Sequence, residues 1–540
     1  MFSASRLFCF LALLLLLSLQ LVGRYAHSTA NRVESAPPDK PVAFEDKIEI
    51  KPLGPNSVPM LGGTSFRNLV NTVEKGVPET WSVKKGKEVN LKWVVDLGSH
   101  SYSGIVVAGG RIFVGTNNDN PRDPTVKGDK GIVMCFRESD GKFLWQLVHD
   151  KQAEMEIDAE KVGVFSTPMV EGDRLYYVSN RCELICADVA GDPKAPGQGK
   201  IVWKLDMIAE LKVYPGGTSG SVPGCSPLIL GDLVYVMTSN GTTNGNPKVP
   251  EPTSPSFIAV NKKNGKVVWS DNSPGKEIMD GQWSSPVAAE ANGEMLVIYG
   301  AGDGWLYAFE AVKGELRWKF DLNPKSAVYK PGGRGNRGYL VSVPVVYEKK
   351  LYVAVGSNPE DGDGVGRLWC VDVTKKPANK DKDVSPFNDP KDLNPKFDPK
   401  DPKNSKDCAL VWHHGGLIVP KPARTRELVF GRSVSTCAVY EDLVYAVEIG
   451  GFLQCLDAKT GQKYWGHDLQ DAIWNSPYYV DGKVLVGTQG SSMFIFQHGK
   501  TFKAPAKMEM ENALDVPPVV VNGVLYITDG SHLYAIAPKK

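Results

Sequence analysis

From Leu91 to Ala537 the apolar residues come in short runs, each closed by polar or turn-forming residues. The stretch Ser284–Trp318 shows the pattern complete. It reads Ser-Ser-Pro, an apolar run Val287–Ala289, the pair Asn292-Gly293, an aliphatic run Met295–Tyr299, the pair Asp303-Gly304, a third run from Trp305, and a turn before Leu316–Trp318. Strand-length runs separated by Asn-Gly and Asp-Gly predict antiparallel strands joined by tight turns. The same layout starts near Ser103, Ser166, Cys225, Ser284, Ser342, Ser435, Asn475 and Val516. Prolines keep pace with it at Pro168, Pro227, Pro286 and Pro344, and later at Pro477 and Pro518, with Cys437 in the matching place between. Four short strands recurring every ~40 residues or more predict the blades of a propeller. The starts number eight, so the predicted fold is all-β, an eight-bladed propeller of four-stranded antiparallel blades.

The last two strands of a blade share a phrase. "CFRESDGKFLW" ends at Trp145, "AVNKKNGKVVW" at Trp269, "AFEAVKGELRW" at Trp318 and "CLDAKTGQKYW" at Trp465. Each opens on a small residue, closes on tryptophan and carries glycine at the same place. A G-x-x-x-W also runs from Gly199 to Trp203. The phrase predicts a hairpin whose turn needs glycine at positive φ. The last blade ends at "LYAIAPKK" without a tryptophan strand, whereas "VNLKWVVDL" (Val89–Leu97), with Trp93, has no inner strands before it. Residues 89–97 are therefore predicted to supply the outer strand of the last blade and close the ring. Residues 89–540 then form one domain.

The phrase resembles the A-x-D-x-x-T-G-x-x-x-W repeat of the PQQ-binding-like β-propellers, with "CLDAKTGQKYW" the nearest match and Cys455 in place of Ala. That superfamily includes quinoprotein alcohol dehydrogenases and BamB-type assembly lipoproteins. The resemblance implies that each tryptophan docks on the neighbouring blade over its glycine turn, with the indole N–H on a backbone carbonyl. These tryptophans are then mortar between blades, not a cofactor platform.

Three segments interrupt the repeat. Residues 31–88 are a Pro-rich lead-in, read as an arm packed on the propeller. Residues 117–130 are a polar loop of the first blade. Residues 375–407, rich in Lys, Asp and Pro, are read as a solvated loop, since they offer almost no large aliphatics to a core. Their aspartates lack the spacing of an EF-hand. Before all of these comes Arg6 and the apolar run Leu7–Val22, followed by Ser28 and Ala30. The run is short for a spanning helix, and the small residues fit signal-peptidase cleavage. Residues 1–30 are read as a signal peptide and the protein as exported, periplasmic or extracytoplasmic, with membrane association only if the segment stays uncleaved. Cys9 lies inside the apolar run, too early for a lipoprotein cysteine.

Composition narrows the partners. The chain of 540 residues is 42% apolar and carries 62 basic and 61 acidic residues, a net charge of +1, so no overall field favours nucleic acid. Of the cysteines after the leader, Cys135, Cys186, Cys370 and Cys455 fill the small position of the repeat, and Cys225 and Cys437 the Ser and Pro places of a blade start. They read as core fillers. Cys182 and Cys408 have no place in the repeat, and disulfides stay open for an exported chain. No C-x-x-C is present.

Candidate chemistry is sparse. "GRGNRG" (Gly333–Gly338) satisfies G-x-G-x-x-G but precedes a strand, so the dinucleotide mechanism does not apply. His149, His413, His414 and His467 follow repeat tryptophans and read as surface histidines. Trp283 and Trp474 lie just before inner strands, at the funnel end. With Asn180, Arg181, Asn240, Arg334, Arg337 and Arg432 they are the candidate lining of an axial pocket, suited to a planar anion or to acidic side chains. Two functions fit. The favoured one is a monomeric, non-catalytic exported propeller that binds a protein, peptide or glycan at its axial funnel. The other is a dehydrogenase using PQQ and calcium. The resemblance implies for such enzymes an adjacent Cys-Cys disulfide on the quinone and Glu, Asn and Asp calcium ligands; this chain has no adjacent cysteines, and no motif places that set. No catalytic or metal residue is assigned.

Overall fold

Each repeat folds as a four-stranded antiparallel sheet, and the eight sheets follow one another in chain order around an axis. The computed structural model describes residues 55–153, 157–218, 220–324, 327–330, 337–356, 364–386, 407–416 and 428–538. The apolar leader, Arg334 and most of the 375–407 insertion lie outside them. The fourth blade is typical: Val287–Ala291 is innermost, then Glu294–Gly300, Trp305–Glu310 and Leu316–Asp321 outermost. Inner and middle strands are buried on both faces, so they read as continuous apolar runs, whereas outer strands such as Val267–Asp271 alternate.

The register explains the repeated phrase. Its small residue stands directly opposite the tryptophan: Ala259 pairs with Trp269, Ala308 with Trp318, Cys135 with Trp145, Cys186 with Trp203, Cys370 with Trp412 and Cys455 with Trp465. A bulge beside each pair turns the indole out of the sheet toward the next blade. There its N–H reaches a carbonyl, 3.1 Å to Val189 from Trp145, 3.0 Å to Lys262 from Trp203, 2.9 Å to Ala311 from Trp269 and 3.0 Å to Gly499 from Trp465. Gly141, Gly265, Gly314 and Gly461 all have φ between 70° and 74°, and a methyl on Gly314 would come within 2.5 Å of Trp269. Gly199 differs from this expectation. The second blade's hairpin is longer, Gly191 (φ 83°) takes the turn against Trp145, and Gly199 packs on Leu147 instead.

Closure follows the prediction. Leu91–Asp96 forms the outer strand of the sheet built from Val519–Val521, Val524–Thr528 and His532–Ile536, with Trp93 opposite Ala535. The eight cysteines after the leader are free and buried. Cys182, unplaced by the repeat, donates its Sγ–H toward the Thr238 carbonyl. The start of the insertion is not a free loop: Val384 is fully buried, and Lys382 and Val384 hydrogen-bond Lys319 on the outer strand of the fourth blade.

The lead-in segment circles the axis. Val58 pairs with Val107 of the first blade and Pro59 accepts from Val170 of the second. Ser65 accepts from Ala288, Phe66 from Val346 and Leu69 from Tyr479, while Asn68 bonds Val439 in both directions and Asn71 donates to Val520. These partners occupy equivalent places in the inner strands. The third blade is held by Arg67, fully buried, which donates to the carbonyls of Ser226 and Pro227, and also to Pro286 and Leu61. Residues 58–71 thus plug the axis at one level by touching every blade in turn.

Candidate functional site

At four blade starts the serine is a stitch between blades. Ser103 Oγ donates to Ser166 O, Ser166 to Cys225, Ser284 to Ser342 and Ser435 to Asn475, at 2.6–3.0 Å. A hydroxyl on the next residue accepts from the preceding blade: Thr167 Oγ1 from Gly104 N, Ser226 from Thr167 N, Ser285 from Ser226 N and Ser476 from Thr436 N. These hydroxyls satisfy backbone groups along the inner rim and tie consecutive strand starts together. Sequence reasoning noted Ser-x-Pro as punctuation and missed this second hydroxyl, whose signal is a Ser or Thr just before the proline.

Inside this ring, above the plug, lies a cavity of about 340 Å³ with Leu61 among its lining residues. Each blade gives it the residue before its start and the one after. The first of these positions is Tyr102, Phe165, Gly224, Trp283, Val341, Val434, Trp474 and Asp515 around the ring. The volume is within the range of small-ligand pockets. Tyr102 and Phe165 stack at 5.4 Å, Trp283 donates its indole N–H to Ser221 at 3.2 Å, and a methyl on Gly224 would come within 2.9 Å of Phe165. Among the described residues, the charged side chain lining the cavity is Asp515. One of its oxygens accepts from Gln489 Nε2, and burial raises its carboxyl pKa above the usual range.

Of the eight residues singled out in sequence, Trp283 and Trp474 line this cavity together. The others that are described do not. Asn180 is buried and donates to Asp158 and to the Asp150 carbonyl, and Arg181 donates to the carbonyls of Asp150 and Lys151. Asn240 pins a loop between Tyr214 and Glu251. Arg337 is buried against Asp321 at 2.7 Å with its guanidinium 4.1 Å from the Tyr329 ring. It shares a small pocket with Arg367 and Arg432 on a different part of the molecule. Arg334 lies outside the described residues. These side chains are held away from the cavity by carboxylates and carbonyls of outer strand ends and connecting loops. His149, expected on the surface, is buried and meets Tyr177 Oη at 2.7 Å; desolvation pushes its pKa down to about 4. His413 is also shifted down to about 4, by burial and by Arg367.

PQQ carries three carboxylates, so its site needs cations. The described lining of the axial cavity offers apolar groups, aromatic rings, Ser and Thr hydroxyls and one carboxylate but no cationic side chain, and does not fit that donor set. The free, separated cysteines give no vicinal pair. Glu511, Asp529 and His532 form an acidic cluster on the last blade, with His532 Nδ1 bonded to Asp529 at 3.2 Å and to Tyr534 Oη at 3.2 Å. None of the three lines the cavity.

Fold and site define a protein of the PQQ-like repeat propellers. The family model described as outer membrane protein assembly factor BamB matches residues 79–242, 254–379 and 404–501, and the chain belongs to that family. Among solved structures it is similar to a europium-containing methanol dehydrogenase, 12% identical over 90% of this chain and 98% of that one, with a TM-score of 0.57. BamB from Moraxella catarrhalis is 16% identical over 83% of this chain and 97% of that one, with a TM-score of 0.48. Quinohemoprotein alcohol dehydrogenase from Comamonas testosteroni is 11% identical over 90% and 81%, with a TM-score of 0.44. No curated protein is significantly similar in sequence. At these identities the structural likeness shows the fold alone.

Proposed function

We propose that this protein is an exported, non-catalytic propeller that binds a partner at its axial cavity. The observation that carries this reading is the ring of Tyr102, Phe165, Trp283 and Trp474 around a cavity with one carboxylate and no cation among the described residues. Large, partly exposed aromatics in a concave site are binding groups. Membership of the BamB family supports a scaffold role. Export rests on the run Leu7–Val22 with Ser28 and Ala30, and mass spectrometry of the secreted chain should find its N-terminus near Ala30. Among the described residues, no helix is long and apolar enough to cross a membrane.

The test is a photo-crosslinking residue placed at Val434, in the cavity, and at Val268, 39% exposed on an outer strand. A discrete adduct from Val434 and none from Val268 is expected in producing cells. Adducts from Val268 alone would overturn the axial site. Purified protein that takes up PQQ with calcium and then oxidises an alcohol with a dye would overturn the non-catalytic reading.

A further inference from the structure

We infer that the axial cavity takes an organic cation, the ammonium or guanidinium head of a Lys or Arg side chain from a partner polypeptide, seated between Asp515 and the indole of Trp474. This rests on the axial cavity being the binding site and names what it binds.

Trp474 and Asp515 hold the same ring position in consecutive blades, so their side chains enter the cavity side by side. Asp515 gives one oxygen to Gln489; its other oxygen has no hydrogen-bond partner among the described residues. The desolvation of this half-buried carboxylate is only partly offset by the Gln489 hydrogen bond and the charge of His100, and burial raises its pKa. Trp474 stacks on no other aromatic among the described residues, whereas Tyr102 is covered by Phe165 and His100. Indole is the strongest aromatic acceptor of a cation, and the carboxylate beside it adds a charge-assisted hydrogen bond. The remaining lining, with Val341, Val343 and Val434, suits an aliphatic stem. His100, stacked on Tyr102, acts on Asp515 through its charge but does not line the cavity, and Arg67 lies under the third and fourth blades, across the ring from Asp515. Arg67 is fully buried with its donors on carbonyls, and it does not line the cavity.

Calorimetry on the whole protein with N-acetyl-lysine amide, N-acetyl-norleucine amide and choline tests this. Lysine amide should bind at least about tenfold more tightly than its neutral isostere. Asp515→Asn, which keeps an acceptor for Gln489, should bring the two to near equality without changing the melting temperature, and Trp474→Leu should weaken lysine amide with Asp515 intact. Choline binding more weakly than lysine amide supports a side chain as the source; choline binding more tightly would overturn the polypeptide assignment. Equal binding of lysine and norleucine amides by the native protein, or an unchanged preference in Asp515→Asn, would overturn the cation site and leave the axial cavity standing. The cavity reading itself falls by a different result, adducts from Val268 alone.

Discussion

The tryptophans show how one residue type serves one geometric need. Trp269 contacts Tyr235 and Phe309, lies over Gly314 and donates to the Ala311 carbonyl, which also accepts from Tyr235 Oη at 3.0 Å. Trp269→Ala should therefore cost about 3–5 kcal/mol, read as a lowered midpoint in denaturant. Stability equal to the parent would show that the indole is not holding the blades. His149 sets a pH dependence. Its pKa is about 4 in the folded protein, depressed by burial, against an ordinary 6.5. The unfolded chain therefore takes up a proton first as pH falls. The stability it contributes is complete above pH 6.5 and is lost between 6.5 and 4. At pH 5 the loss is about 2 kcal/mol. Asp303, raised to about 6 by burial, acts in the opposite sense, so acidification relieves its cost. The two are separated by His149→Gln, whose melting temperature should fall less than the parent's between pH 7 and pH 5; parallel curves would exclude the histidine.

Among the elements, the outer strand Leu91–Asp96 has the largest consequence. It joins the two ends of the ring by pairing along His532–Ile536 as the outer strand of the last blade. Its latch also differs: among the described residues Trp93 Nε1 and Tyr526 Oη reach no backbone carbonyl, where other blades place both groups on one. Deleting residues 89–97 should lower the melting temperature sharply and expose the strand His532–Ile536 to association. A deletion variant that melts like the parent and stays monodisperse would refute the role. The segment Lys382–Val384 makes a smaller repair of the same kind, covering the edge of the fourth blade at Lys319.

For the whole molecule, the plug turns a ring into a cup. Residues 58–71 reach every blade, and Arg67 concentrates the contacts of the third and fourth. Its guanidinium has no carboxylate partner among the described residues, and burial pushes its pKa down to about 10. Arg67→Met should leave the carbonyls of Ser226, Pro227 and Pro286 short of donors and cost about 3 kcal/mol or more. It should also loosen the cavity floor, measured as faster hydrogen exchange at Ala288 and Val346. Unchanged exchange at both would show that the plug holds without it.

Blade number, strand order, the hairpin glycines and the closing strand were legible in the sequence because each rests on local pattern. A small residue opposite a tryptophan, a glycine at positive φ and an apolar run between turns recur whenever the same four-stranded unit recurs. The site was only half legible. Trp283 and Trp474 could be placed because the residue before a blade start has a fixed position on the axis. Arg337, Asn180 and Asn240 could not, since their direction depends on Asp321, at the end of the fourth blade's outer strand, and on Asp158 and Glu251 in connecting loops, partners that the local repeat does not announce. Asp515 was missed because its meaning comes from the ring and not from its neighbours in the chain. The lead-in could be read as an arm packed on the propeller, but its path around the axis could not, for the same reason. Residues 58–71 carry no repeat, and only a closed ring of eight inner strands presents the circle of backbone groups that gives such a segment its shape.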